Sequence, residues 1–236
     1  GVWTGGTDVV GAISPAETFY FAEGTCRPGF DPYLTIQNPG SSIAEVRITY
    51  MLGDGTNRTQ MLNVPPTTRS TIAVKAELGE GNDIAHDFSC KVESVNNQDI
   101  VVERPMYFNY NGVWTGGTDV VGAISPAETF YFAEGTCRPG FDPYLTIQNP
   151  GIAVAQVKVT CMKGDGTITE QLVSVGDHSR STIFVPDILG RGNDIAHDFS
   201  CKVENVNNQD IVVERPMYFN YNGVWTGGTD VMGFSS

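Results

Sequence analysis

The chain repeats itself with a period of 111 residues, and this repeat limits its fold more than any other feature does. The run Gly-Val-Trp-Thr-Gly-Gly-Thr-Asp-Val begins at Gly1, again at Gly112 and again at Gly223, so the 236 residues hold two full units and a 14-residue remnant. A unit of this length is long enough to bury a core of its own. We therefore expect an array of similar domains.

The two units are not equally similar along their length. Residues 1–40 match 112–151 throughout, and 81–111 match 192–222 except at Ser94 and Asn205. Between 41–80 and 152–191, in contrast, only 17 of 40 positions agree. We predict that the divergent segments form faces that are free to vary, whereas the near-identical segments form the cores and the contacts between domains.

The residue pattern predicts an all-β unit. Residues 45–50 alternate polar and apolar side chains, and Asp54-Gly55 follows as a turn signal, so 45–52 and 59–64 are expected to form a hairpin. The other predicted strands are separated by Asn-Pro, Pro-Gly and Asn-Asn pairs: Phe19–Ala22, Tyr33–Gln37, Ser70–Lys75, Phe88–Val95 and Ile100–Asn109. Seven or eight short strands in such a unit predict two tandem immunoglobulin-like antiparallel β-sandwich domains.

A second turn signal sets the predicted domain boundaries. Asn111-Gly112 lies between two strand-like segments, which predicts that residues 113–121 form the closing strand of the first domain. The domains are then 13–123 and 124–236. Residues 1–12 become the closing strand of a missing upstream domain. Alternatively, Gly1–Ala12 adds to a neighbouring copy and makes the chain a filament subunit that associates through this strand.

Composition and motifs exclude several functions. The net charge is −13, from 27 acidic and 14 basic residues spread along the chain, which argues against nucleic acid and anionic membranes as partners. No apolar stretch reaches the length of a membrane span. No nucleophile elbow, phosphate loop or zinc-protease motif occurs, so we expect no enzyme, no catalytic residues and no cofactor. His86 and His197 lie among aspartates, but without a standard metal-loop spacing, so no metal site is predicted.

The cysteines recur in step with the repeat. Cys26 and Cys90 have the counterparts Cys137 and Cys201, and this pairing predicts one disulfide in each domain. An interdomain Cys90–Cys137 bridge and reduced thiols are the alternatives. Cys161 has Tyr50 as its counterpart and is expected to be a buried, inert thiol.

The sequence allows two interpretations each for the aromatic and the charged residues near the repeat ends. Trp3, Trp114 and Trp225 either pack at domain or subunit contacts beside the Gly-Gly pair, which we favour, or stack on sugar rings. Glu103-Arg104 is expected to form a cross-strand ion pair rather than a ligand clamp.

Four motifs of the unit resemble tandem repeats of large secreted bacterial surface proteins of uncharacterised function. They are Trp3–Ala12, Phe19–Thr25, Tyr33–Pro39 and Val102–Phe108. The resemblance implies a secreted or cell-surface β-rich array and carries no active site. Together with the repeat it predicts a structural protein of a stalk, fibre, filament or surface layer, whose partners are other copies of itself or further repeats. The alternative is an adhesin or glycan-binding module that uses exposed aromatic side chains.

Overall fold

The computed structural model describes residues 7–235, and most of its regular structure is β-strand. Strands account for 55% of the residues and helices for 7%, so the all-β part of the prediction is confirmed. The helices are short turns. Among the described residues, no helix is long and apolar enough to cross a membrane.

The two repeats contain the same succession of elements. The strands of the first repeat are β1 (Thr18–Phe21), β2 (Phe30–Asn38), β3 (Ala44–Leu52), β4 (Asn57–Val64), β5 (Thr68–Ala73), β6 (Phe88–Ser94), β7 (Val101–Glu103), β8 (Met106–Tyr110) and β9 (Trp114–Thr118). Those of the second repeat are β10 (Thr129–Phe132), β11 (Phe141–Asn149), β12 (Ala155–Lys163), β13 (Ile168–Val175), β14 (Ser179–Phe184), β15 (Phe199–Asn205), β16 (Val212–Glu214), β17 (Met217–Tyr221), β18 (Trp225–Thr229) and β19 (Phe234–Ser235). The helices are α1 (Val74–Leu78) and α2 (Pro186–Leu189), with 3-10 turns at Ile84–His86 and Ile195–His197.

Within residues 7–235 the strands form four small antiparallel sheets, two in each repeat. The sheets of the first repeat have the orders β1-β6-β3-β4 and β5-β2-β8-β9, with β7 also paired to β2. Those of the second have the orders β13-β12-β15-β10-β19 and β14-β11-β17-β18, with β16 paired to β11. Both sheets of the first repeat supply one core, in which Ile48 of the first sheet and Leu34 of the second are fully buried.

The prediction of two tandem immunoglobulin-like β-sandwich domains is wrong, because the strands form four small sheets with a different pairing. In an immunoglobulin-like domain the sixth strand pairs with the seventh, and the second shares a sheet with the first. Here β6 pairs with β1 and β3, whereas β7 and β8 pair with β2. Alternating side chains locate strands along the chain but do not specify which strands pair, so the sequence predicted the elements and missed their arrangement.

The hairpin predicted at Asn111-Gly112 is confirmed. β8 and β9 pair from Met106 opposite Thr118 to Tyr110 opposite Trp114. Asn111 and Gly112 have φ angles of 54° and 74°, the positive values that a type I′ turn requires. The start of the second sequence unit is therefore paired with the first.

The chain stays attached to the first repeat as far as Ala123. Its N–H donates to the carbonyl of Tyr20 at 3.0 Å, and the N–H of Tyr20 donates back at 2.8 Å. In the second repeat the 14-residue remnant occupies the equivalent place, because β18 pairs with β17 and β19 pairs with β10. The predicted domains 13–123 and 124–236 are compatible with these ladders and stay a prediction. Of the predicted strand at residues 1–12, Gly1–Gly6 lie outside the described residues, and residues 7–12 form no strand.

The predicted disulfides Cys26–Cys90 and Cys137–Cys201 are absent, because all the cysteines are buried free thiols. Instead, Cys201 lies opposite Cys161 across β15 and β12, with their Sγ atoms 3.0 Å apart. A cysteine pair that recurs in both units follows from the duplication and does not show which thiols meet. Burial raises the pKa of Cys26 and of Cys137 to about 12, so both thiols are poor nucleophiles at neutral pH.

Candidate functional site

The two repeats meet in a junction, and a comparison of equivalent residues locates it. Tyr218 of the second repeat is 4% exposed, whereas its counterpart Tyr107 in the first is 58% exposed. Met51 of the first repeat is 1% exposed, whereas its counterpart Met162 in the second is 40% exposed. Each pair has identical side chains in equivalent strands, so the contact with the other repeat accounts for the difference.

A buried arginine connects the repeats at the centre of the junction. Nη2 of Arg104, in the first repeat, donates to Oε2 of Glu214 at 3.1 Å and to Oδ2 of Asp230 at 2.5 Å. All three side chains have no solvent-exposed surface. Glu214 and Asp230, which we call the carboxyl pair, both belong to the second repeat. The sequence predicted cross-strand ion pairs for Glu103-Arg104 and for Glu214-Arg215. Arg104 instead pairs across the junction, with residues of the other repeat.

A second arginine reaches in the opposite direction. Nη1 of Arg180, in the second repeat, donates to the carbonyl oxygens of Gly24 at 2.7 Å and Phe88 at 2.8 Å. Its Nη2 lies 3.1 Å from Oε2 of Glu23, which is 6% exposed. Each repeat thus places one arginine in the other, and Arg180 also satisfies backbone acceptors that would otherwise be buried unpaired.

Aromatic rings pack beside the two arginines. The rings of Tyr110 and Tyr218 are stacked, with centroids 4.4 Å apart and planes 4° from parallel. The ring centroids of Phe108 and Phe30 lie 4.9 and 5.8 Å from that of Tyr218, both in T-shaped arrangements. The hydroxyl of Tyr110 donates to Oδ2 of Asp142 at 2.9 Å. The rings of one repeat are thus enclosed by those of the other.

The closing strands β9 and β18 lie side by side in the junction, and their glycines allow the approach. A Cβ atom added to Gly116 would lie 3.1 Å from the Cα atom of Gly227, and one added to Gly228 would lie 2.7 Å from the ring of Phe108. These distances leave no room for a side chain. The Gly-Gly pair of the repeated motif is therefore a requirement of the junction.

The predicted tryptophan contacts are placed unevenly. Trp3 lies outside the described residues. Trp114 is half-buried, with its ring centroid 5.4 Å from that of Tyr110, whereas Trp225 is 62% exposed and stacks on Tyr221 at 5.8 Å. A contact role for Trp114 and Trp225 between domains or subunits stays a prediction.

The aspartates around His86 serve local structure. The carboxylate of Asp83 accepts from the N–H of Ala85 at 3.0 Å and lies 2.7 Å from Nδ1 of His86. Both carboxylate oxygens of Asp87 accept from Arg27, at 2.8 and 2.7 Å. Within residues 7–235, no group of three or more His, Cys, Asp or Glu side chains is placed to hold a metal ion.

A groove of about 590 Å³ opens beside the junction. Its walls combine charged and aromatic side chains from both repeats, among them Glu23, Arg27, Phe30, Asp87, Tyr110, Tyr144, Arg180 and Tyr218. The arrangement offers hydrogen-bond donors and acceptors at one side and ring edges at the other. It is the candidate ligand site of this chain.

Burial of the carboxyl pair predicts a pH dependence. Burial raises the pKa of Glu214 well above its usual value, as does the adjacent Asp230, while Arg104 opposes both. A carboxyl group with a raised folded-state pKa stabilises the protein below its ordinary pKa, and this stabilisation is lost as the pH rises through the folded value. The unfolding free energy should therefore fall as the pH rises above the ordinary pKa of a glutamate towards the raised pKa of Glu214 in the folded state, by about 1.4 kcal/mol for each pH unit of that interval.

Glu214→Gln should flatten this pH dependence, because an amide cannot ionise. Urea unfolding at several pH values measures it. Glu103→Gln is the matched control, since Glu103 is the half-exposed counterpart in the first repeat. An equal pH slope in wild type and Glu214→Gln would contradict the assignment.

Comparisons with known proteins identify no family. No protein-family profile matches the chain, and no curated protein matches its sequence. Among solved structures, Thermotoga maritima 1070 aligns with 48% of this chain and 97% of its own length, at 17% identity and a TM-score of 0.41. The Anabaena sensory rhodopsin transducer aligns with 39% of this chain and 88% of its own length, at 20% identity and a TM-score of 0.33.

A tandem pair of CBM22 domains from Paenibacillus barcinonensis Xyn10C aligns with more of the chain. It covers 79% of this chain and 77% of its own length, at 7% identity and a TM-score of 0.19. With scores this low, none of the likenesses carries an argument about fold or function.

Proposed function

We propose that this chain is a structural module of an extracellular array, in which consecutive repeats are held at a fixed angle by the junction. The observation that carries the proposal is Arg104, which is buried in one repeat and pairs with the carboxyl pair of the other. A rotation between the repeats would leave three buried charged or polar groups without partners. Such networks favour one geometry more than they add stability.

The residues of the junction support a role that is common to all repeats. Arg104, the carboxyl pair, Tyr110 and Tyr218 lie in the near-identical segments. Arg180 lies in a divergent segment, but its counterpart Arg69 is one of the 17 positions there that agree. The divergent strands β4 and β13 contribute mostly exposed side chains, as expected of faces that are free to vary. The divergent strands β3 and β12, in contrast, bury alternate side chains in the cores, so the expectation holds for only part of these segments.

The extracellular location is part of the proposal and depends on the resemblance to secreted bacterial repeats. The free thiols remove the separate argument from disulfides. The excess of acidic residues supports a surface role, because a net charge of −13 discourages non-specific association.

The fixed angle is tested by measuring a distance between the repeats. Met61→Cys and Leu172→Cys place spin labels at equivalent positions that are 56% and 69% exposed. Pulsed dipolar spectroscopy should give one narrow distance distribution, as narrow as that of a pair within the first repeat, Met61→Cys with Ile84→Cys. A distribution several times broader than this internal control would refute a fixed joint. The native cysteines are buried and should not react with the label.

Glycan binding in the groove beside the junction is the second candidate. The mixture of aromatic rings and paired charges in its walls favours a polar, ring-shaped ligand. The stacked faces of Tyr110 and Tyr218 are covered by each other, which leaves Tyr144 as the half-exposed ring for a sugar. A glycan array that shows binding to wild type and none to Tyr144→Ala would favour this function over a purely structural one.

A further inference from the structure

Within the part of the chain that the structure describes, residues 7–235, each repeat uses one face in the junction and leaves the opposite face uncovered. On the first repeat the free face contains the counterparts of the carboxyl pair, and we call it the acidic end: Arg69, Glu103, Tyr107 and Asp119. On the second repeat it contains the counterpart of Arg104, and we call it the arginine end: Glu134, Met162, Arg215 and Tyr221. The two ends are therefore the two halves of a second junction.

The acidic end lacks the partner that its counterpart has. Glu103 and Asp119 occupy the places that Glu214 and Asp230 occupy in the second repeat. Oδ1 of Asp119 is buried without a hydrogen-bond partner. In the junction the equivalent carboxyl pair receives Arg104. A buried acceptor without a partner is unfavourable, so this end is suited to an incoming guanidinium.

The arginine end carries the complementary group. The side chain of Arg215 is 5% exposed, and its Nη1 lies 2.8 Å from Oε2 of Glu134, whose side chain is 61% exposed. In the junction the counterpart of Glu134, Glu23, is paired with Arg180 instead. Met162 and Tyr221 are 40% and 47% exposed, whereas their counterparts in the junction are covered or half-buried.

Both ends contain an open groove, whereas the equivalent places in the junction are filled by side chains of the other repeat. The groove at the arginine end measures about 720 Å³ and is lined by Glu134, Met162 and Tyr221. The groove at the acidic end measures about 690 Å³ and is lined by Gln37, Arg69 and Glu103. In the junction, the counterpart of Gln37 is Gln148, and its Nε2 lies 3.6 Å from Sδ of Met51. Each groove therefore offers space at a place that side chains of the other repeat fill in the junction.

We propose that the arginine end of one chain docks onto the acidic end of a second copy and so reproduces the junction between molecules. Arg215 inserts between Glu103 and Asp119 of the second copy, and Arg69 of the second copy pairs with Glu134. The contact joins two different faces, so it can be repeated from copy to copy, and it produces a linear assembly where the rotation between copies does not close a ring. It adds a contact between chains to the proposed function and can fail while the fixed joint within the chain holds.

Docking in this geometry restricts where residues 7–12 of the second copy can lie. Their counterparts in the second sequence unit, residues 118–123, lie between the two repeats of one chain. In a docked pair, residues 229–234 of the first copy take the place that 118–123 have in the junction. Residues 7–12 of the second copy must therefore lie elsewhere. They form no strand and are mostly exposed, so they are able to do so. Docking through the end faces is thus distinct from the exchange of strand 1–12.

Sedimentation velocity over a concentration series tests the proposal on the full chain. The sedimentation coefficient should rise with concentration for wild type, up to about 1 mM, where even a weak contact is half occupied. Arg215→Glu and Glu103→Arg should each abolish the rise, because each places like charges opposite one another. An equimolar mixture of the two variants should restore it, since opposite charges then meet at every contact.

Arg58→Glu is the matched control, because it makes the same charge change on an exposed arginine away from both ends. It should leave the rise unchanged, and circular dichroism should show that all variants are folded at the temperature of the measurement. A wild type that stays monomeric, or a mixture that fails to associate when wild type does, would overturn the proposal. Deletion of residues 1–12 should leave association intact, and loss of association on this deletion would also overturn it in favour of strand exchange.

Discussion

Replacing Arg104 with alanine is expected to lower the free energy of unfolding by about 3–5 kcal/mol, the range for a buried ion pair that loses one partner. The substitution leaves Glu214 and Asp230 together in the interior without a positive charge. It also frees the carbonyl oxygen of Glu23. Urea-induced unfolding at pH 7 measures the loss, and the spin-label distance between the repeats should broaden in the same variant.

Arg215→Ala is the control for this prediction, because the same residue of the second repeat pairs with the exposed Glu134. Its loss should be smaller than that of Arg104→Ala, because the acid left behind, Glu134, is 61% exposed and stays hydrated. Adding Asp230→Asn to Arg104→Ala should recover part of the stability, since one unpaired acid is then removed. Equal losses for Arg104→Ala and Arg215→Ala would show that the junction does not depend on this arginine.

Deleting residues 223–236 is expected to cost about 5 kcal/mol, because it uncovers three phenylalanines at about 1.5–3 kcal/mol each when fully exposed. The deletion removes β18 and β19. Gly233 packs on Phe130 and Phe132, and Gly228 packs on Phe108 of the first repeat. Such a loss approaches the whole stability of a small domain, so the second repeat should unfold.

The chain contains its own control for the truncation, since residues 1–9 have the same sequence as 223–231. Deletion of residues 1–12 should change stability by less than about 0.5 kcal/mol, as for surface changes away from packed features. Hydrogen exchange measured by mass spectrometry, with peptides from β10 and β15 as reporters, distinguishes the two truncations. Full protection of these strands after the loss of 223–236 would contradict the role of the remnant.

The sequence predicted those features whose causes are local. The β3–β4 and β8–β9 hairpins depend on an alternating pattern and on a short connection that contains Asp-Gly or Asn-Gly, and both are present. Pro105, which lacks an N–H, divides the predicted strand Ile100–Asn109 into β7 and β8. At the end of β5, the chain turns into α1 two residues before the predicted strand end at Lys75.

The sequence could not predict what depends on distant partners. Arg104 is 110 and 126 residues from Glu214 and Asp230, and the pattern around it resembles an ordinary strand. Because the near-identical segments agree at nearly every position, identity between the units does not distinguish junction residues from the others. A usable signal was present in the divergent segments, where Arg69 and Thr71 agree with Arg180 and Thr182 among many differences. Arg180 and Thr182 bond to one another in the junction.

The unequal burial of identical residues has a consequence for how such a protein evolves. When duplication or gene conversion copies a substitution into both units, the new side chain is buried in one repeat and exposed to solvent in the other. Tyr218 and Tyr107 illustrate this, at 4% and 58% exposed. Only the enclosed copy constrains the residue type, while the outer copy inherits that constraint without needing it. Lengthening such a chain therefore requires no new adaptation at either terminus, because every unit already carries the side chains that an inner position demands.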